Sequence, residues 1–117
     1  MAGALDVLVL CADPVDGTHS LNLTQELAHF EKALRDAKLP LRLKRVFPPT
    51  LKQLQREFQL AKRDGRNPTV FHFLGHGDDD GLYYEDELGC EQLVKGSELR
   101  AALAASPVQL VLLNACC

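Results

Sequence analysis

Apolar residues fall along this chain in two rhythms. From Asp6 to Asp13 they are nearly continuous (Val7, Leu8, Val9, Leu10, Cys11, Ala12), and Pro14 stops them. A Val- and Leu-rich run without polar alternation predicts a strand buried on both faces, as in a parallel sheet. Residues 14–20 have loop composition. The rhythm then changes: Asn22 and Gln25 have capping-box spacing, and Leu23, Leu27, Phe30 and Leu34 follow at helical intervals, predicting a helix from about Leu23 to Ala37. Leu41 to Phe47 predicts a second strand. Its Arg42, Lys44 and Arg45 suit the edge of a sheet, and Pro48 with Pro49 breaks it. Thr50 with Gln53 opens a second helix carrying Leu51, Leu54, Phe58 and Ala61 on one stripe, ended by Gly65. A third strand, Thr69 to Leu74, runs into Gly75-His76-Gly77, and an acidic turn spans Asp78 to Gly81. Leu82 to Tyr84 and about Glu91 to Val94 read as the arms of a small hairpin around Gly89. Ser97 caps a short helix, Glu98 to Ala105. The last strand, Val108 to Leu113, leads into Asn114-Ala115-Cys116-Cys117.

The order β-α-β-α-β, a hairpin, then α-β predicts an α/β fold: a three-layer αβα sandwich with a mainly parallel sheet. Residues 1–117 read as a single domain, with no internal repeat, low-complexity stretch or linker. Composition does not alter this, since 46% hydrophobic and 25% charged residues are ordinary for a globular domain. A net charge of -3 with no basic block argues against nucleic acid or an anionic membrane as partner. The apolar runs are too short to span a bilayer, and Met1 to Asp6 lacks a basic n-region, so a cytoplasmic location is expected. The four cysteines (Cys11, Cys90, Cys116, Cys117) form no C-x-x-C pair and are expected to be reduced. The acidic run Asp78 to Asp80 beside His72 and His76 reads as a solvated turn rather than a metal site, and no cofactor is expected.

Chemistry enters at the strand ends, because sites in open α/β sheets form at the carboxyl ends of the strands. His76 falls just past the third strand and Cys116 just past the last one. A lone cysteine at a strand end is ordinarily a small buried hydrophobe, and a lone histidine is ordinarily structural. His72 reads as a core or supporting histidine, with His19 and His29 in a loop and on a helix. Joint placement distinguishes the other two. If the two strands are neighbours, an imidazole meets a thiol, which it can deprotonate to the nucleophilic thiolate. Gly75 and Gly77 leave room for unusual backbone angles and for a substrate, and the N–H groups of Gly77 and Cys116 are a candidate oxyanion hole.

These residues also match a family. Val70-Phe-His-Phe-Leu-Gly-His-Gly77 resembles the histidine motif of CHAT domains, which are caspase-like cysteine peptidases, and Leu112-Leu-Asn-Ala-Cys116 resembles their cysteine motif. The Leu10-Cys-Ala-Asp-Pro14 run, and the Leu21-Asn-Leu23 stretch with Glu26, are similar to the start of many such domains. The resemblance spans nearly the whole chain. It implies a caspase/hemoglobinase-like fold and a cysteine endopeptidase acting on protein substrates. His76 would be the general base and Cys116, which directly follows the alanine, the nucleophile. Gly77 would supply an oxyanion N–H. Asp13, near the end of the first strand, would bind substrate and favour a basic residue before the scissile bond. The family fold continues beyond the cysteine, so the chain reads as the large-subunit-like portion, truncated after the fourth main strand. A C-terminal half of the domain or a second chain would complete it. A regulatory sensor protein in a bacterial signalling or defence system is a further implied partner. The alternative is a catalytically inactive module used for protein–protein interaction. Receiver and dinucleotide-binding readings fit poorly: the third strand ends in Gly75-His76-Gly77 rather than an aspartate, and no G-x-G-x-x-G follows the first strand.

Overall fold

The structure is a computed structural model that describes residues 5–14, 23–38, 41–65, 70–106 and 108–116. Among these residues six strands form one mixed sheet and three helices pack against it. The elements are β1 (Leu5–Cys11), α1 (Leu23–Asp36), β2 (Leu41–Arg45), α2 (Leu51–Arg63), β3 (Val70–Asp78), β4 (Gly81–Glu85), β5 (Glu91–Lys95), α3 (Gly96–Ala104) and β6 (Leu110–Cys116). Four strands run parallel in the order β2, β1, β3, β6. The hairpin β4–β5 joins antiparallel on β3.

Alternation along β1 and β3 sorts the core onto the two faces of the sheet. Leu8, Leu10, Phe71 and Phe73 pack with Leu54 and Phe58 of α2, Leu99 of α3, and Tyr84 and Val94 of the hairpin. Val7, Val9, Cys11, Val70 and Leu74 pack with Leu27 and Phe30 of α1 on the other face. The continuous apolar run of β1 is thus covered on both sides. Phe71 and Phe73 are both fully buried, and burial of each such ring is worth about 2–3 kcal/mol.

The helix signals act as the sequence suggests where they can be seen. The Thr50 hydroxyl accepts the Gln53 N–H at 3.0 Å, so α2 starts at its expected cap. Gly65, at φ 71°, ends α2 in the left-handed conformation that glycine adopts without strain. Asn22, Pro40, Thr69 and Pro107 lie outside the described residues. The short third helix begins earlier than expected. Its N-cap position is Lys95, not Ser97, because the Glu98 carboxylate reaches back to accept the Lys95 N–H at 3.1 Å. The strands differ more. β3 does not stop at Leu74 but continues through Gly75-His76-Gly77 to Asp78, so only Asp79 and Asp80 form the turn. β6 begins at Leu110 and ends at Cys116. β2 ends at Arg45, although the Val46 N–H still bonds to the Val9 carbonyl at 2.7 Å.

One buried polar group sets a pH dependence. His72 lies within β3 at 7% exposure, its ring meets Phe30 edge-on with centroids 4.3 Å apart, and its Nδ1 has no partner among the described residues. Burial pushes its pKa below the usual histidine value. The unfolded chain therefore binds more protons than the folded one as pH drops through about 6.5, and stability falls with it. Thermal melts between neutral pH and pH 5 are expected to show this acid limb, and His72→Phe is expected to flatten it. An acid limb unchanged in that variant would assign it to other groups.

Candidate catalytic site

The site builds from the centre of the sheet. β3 lies between β1 and β6, and its carboxyl end outruns β1. The Ala12 N–H bonds to the Leu74 carbonyl at 2.9 Å, and beyond that point β4 takes over the same edge of β3. β6 stays paired on the opposite edge up to His76. The register makes Leu74 the partner of Asn114, Gly75 of Ala115 and His76 of Cys116. His76 and Cys116 are therefore directly opposite backbone positions on adjacent parallel strands, where neighbouring chains run about 4.8 Å apart. Both lie inside their strands rather than just past them. The reason is that flanking glycines and a small alanine carry backbone groups as able to pair as any others.

Gly75 and Gly77 differ from expectation in how they serve the site. Neither is among the glycines with positive φ, so the stretch is ordinary extended backbone. Gly75 is required for space: a Cβ there would lie 2.7 Å from Cζ of the Phe73 ring and 3.1 Å from the Ala12 carbonyl oxygen. Gly77 pairs with Leu82 of β4. Backbone N–H and C=O groups alternate in direction along a strand. The Leu74 carbonyl faces β1, so the Gly77 N–H, three residues on, faces the β6 side, level with the end of that strand. There the pairing of His76 with Cys116 makes the Gly77 N–H a donor to the Cys116 carbonyl and the Cys116 N–H a donor to the Gly75 carbonyl, so the two N–H groups expected to form an oxyanion hole are engaged in the β3–β6 ladder instead.

Asp13 is exposed just past β1, and its N–H donates to Oε2 of Glu85 at 3.0 Å. That bond fixes the end of β1 against the end of β4 and brings a second carboxylate beside Asp13. Sequence reading missed Glu85, and it also missed the pair that flanks His76. Tyr83 is the cross-strand partner of His76, and its hydroxyl donates to Oδ2 of Asp78. Oδ1 of Asp78 accepts the N–H groups of Asp80 and Gly81 at 2.8 and 3.3 Å. The Tyr83 bond, with the backbone bonds behind it, holds the Asp78 carboxyl below its usual range, and the same bond pushes the Tyr83 phenol up to about 12. The signal was present in the sequence: a two-residue turn at Asp79-Asp80 sets Asp78 diagonal to Tyr83.

His72 does not join this site. It sits four residues before His76 in the same strand, about 13 Å away at strand rise, under Phe30. Among the described residues no three His, Cys, Asp or Glu side chains converge as a metal site would require. Cys11 is buried in the core beneath α1, and burial raises its thiol pKa, as befits an inert thiol. A separate cavity of about 360 Å³, lined by Asp6, Arg42, Lys44 and Glu57, lies at the amino end of β1 and β2. It is at the opposite end of the sheet from His76, and the ion pairs Arg42–Asp6 and Lys44–Glu57, each at 2.8 Å, neutralise its charges. No helix among the described residues is long and apolar enough to cross a membrane. The chain matches no protein-family model, and a search of curated proteins finds no match to it.

Proposed function

We propose that the chain carries the catalytic pair of a caspase-like cysteine endopeptidase of the CHAT type, with His76 as general base and Cys116 as nucleophile. The observation that carries this reading is the β3–β6 register, in which the two residues are Cα partners at the carboxyl ends of adjacent strands. The His76 imidazole takes the Cys116 proton, and the thiolate attacks the scissile carbonyl of a protein substrate. The imidazolium then protonates the leaving amine. Water, deprotonated by the same imidazole, releases the acyl group and restores the thiol. Asp13 and Glu85 bring negative charge to the neighbouring strand end, which supports a basic residue before the cut.

The finer fold reading is part of the same proposal: a three-layer caspase/hemoglobinase-like sandwich whose sheet continues beyond β6. Among the described residues β6 pairs only with β3. Leu110, Leu112 and Leu113 on it are 50%, 39% and 55% exposed. The other two sheet edges carry charges that discourage further pairing (Arg42 and Lys44 on β2, Glu91 and Lys95 on β5), whereas Leu110 to Cys116 has none. An uncharged apolar edge fits an added strand, from a C-terminal half of the domain or from a second chain. The same edge favours a second reading, an interaction module without catalysis. Labelling with a peptidyl acyloxymethyl ketone, mapped by mass spectrometry, separates the two. The peptidase reading expects covalent label on Cys116 that is lost in His76→Ala. Absence of label on Cys116, with or without a complementing strand, sinks it.

A further inference from the structure

The reactive geometry of an imidazole depends on where its ring turns, and a strand residue at a half-exposed position has several rotamers open to it. The structure restricts those open to His76. Residues 70, 72 and 74 of β3 face α1, as the contacts of Val70, His72 and Leu74 show. By strand alternation His76 and Asp78 share that face. On β4, Tyr84 stacks on Phe73 across the opposite face, with ring centroids 5.3 Å apart, so its neighbour Tyr83 lies on the face of His76. Tyr83 stands directly across from His76, where paired Cβ atoms are about 5 Å apart. It does not lie loosely there. Its hydroxyl reaches diagonally to Asp78, two residues beyond His76, and Asp78 is itself anchored by the turn amides of Asp80 and Gly81. The phenol ring therefore covers the strip of sheet between β4 and the turn. The direction away from this cover leads across β3 toward β6, where Asn114 donates to the Glu26 carboxylate of α1 at 3.5 Å on the same face.

We infer that Tyr83, tied through its hydroxyl to Asp78, is a positioning residue for His76: it closes the β4 side of the site and turns the imidazole toward β6 and Cys116. The inference rests on the dyad reading above but names residues that reading does not use. Tyr83 touches no reacting atom. Its effect is to raise the fraction of time the base faces the thiol, which is the kind of alignment that governs intramolecular proton transfer.

The test is the pH–rate profile for iodoacetamide alkylation of Cys116 in the full chain, in a Cys117→Ser background and with the label mapped to the Cys116 peptide by mass spectrometry, since the half-buried Cys90 also offers a thiol. A paired imidazole adds a His76-dependent limb below the pH at which an isolated thiol ionises, whereas the high-pH limit reports the thiolate alone. Tyr83→Ala is expected to reduce the low-pH limb about ten-fold and leave the high-pH limit unchanged. Tyr83→Phe, which keeps the ring but releases it from Asp78, is expected to cause a smaller loss. A purely structural role would shift the melting temperature or the whole profile instead. As a readout that needs no thiol chemistry, nuclear Overhauser contacts between the Tyr83 ring and the His76 ring are expected in the unmodified chain. They also keep the inference testable if Tyr83→Ala fails to fold. A low-pH limb that survives intact in both variants, or the absence of ring-to-ring contacts, overturns the positioning role while leaving the dyad in place. A chain with no His76-dependent limb at all overturns both.

Discussion

Gly81→Ala is expected to lower the melting temperature by roughly 10–20 °C, the loss of about 3 kcal/mol or more from a domain of this size. Gly81 opens β4 directly after the Asp79–Asp80 turn, at φ 153°. It is paired on one side with Asp78 and on the other with Lys95 of β5. A Cβ placed there would lie 2.2 Å from the Val94 carbonyl oxygen and 3.0 Å from the Lys95 Cα. Both are backbone atoms of a paired strand, so no side chain can swing aside to relieve the clash. Relief requires β5 to leave β4, and with it Val94 and Tyr84 leave the core beneath α2 and α3. Gly96 is the matched control. A Cβ there meets nothing within 4 Å, and the residue begins α3. Gly96→Ala is expected to be neutral or to stabilise by up to about 1 kcal/mol. Thermal melts followed by circular dichroism read both variants. Equal melting temperatures for the two would show that the β4–β5 hairpin does not contribute to the folded core.

The largest functional effect is expected at His76. His76→Ala removes the proposed base, and general-base contributions of this kind run to about a hundred-fold or more. The rate of covalent labelling of Cys116 by a peptidyl electrophile is expected to fall by at least that factor, while melting temperature stays close to that of the unmodified chain. The second expectation follows from the position of His76, which is half-buried near the sheet's carboxyl end and absent from both core clusters. His72→Phe is expected to do the reverse: it changes the acid limb of stability and leaves labelling intact, because His72 lies under Phe30 rather than at the strand end. The two variants are thus expected to separate a histidine that governs stability from the one proposed as the base.

Much of this was legible in the chain itself. β1 could be read because an unbroken run from Val7 to Ala12 has only one comfortable place, between two covered faces. α2 could be read because Thr50, Gln53, the Leu54–Phe58 stripe and Gly65 all agree. The pairing of His76 with Cys116 needed one further condition, adjacency of β3 and β6, which periodicity does not encode and the register supplies. What was hidden lay mostly in backbone pairing. Gly75 and Gly77 read as a place for unusual backbone angles past the end of the strand, yet they extend β3 because a sheet pairs through amides and carbonyls, and Gly75 makes room for the Phe73 ring. Ala115 and Asn114 hid the end of β6 for the same reason: they lack the apolar bulk by which strands are recognised. The Tyr83–Asp78 tie was missed because it spans a turn that only the β3–β4 register aligns. Lys95 displaced Ser97 as the cap of α3 because Glu98 bonds to the backbone N–H of Lys95, a contact for which the residue type at the cap is immaterial.

The adjacency of His76 and Cys116 is the centre of this picture, and one comparison tests it most directly. Alkylation of Cys116, read from its own peptide by mass spectrometry so that Cys90 does not contribute, is followed against pH in the Cys117→Ser background, with and without His76→Ala. With the imidazole opposite the thiol, the unmodified pair is expected to react well below the pH near 8.5 at which a free thiol ionises. His76→Ala is expected to collapse the profile to a single thiol titration. Superimposable profiles, with Cys116 behaving as an isolated thiol in both chains, would contradict it.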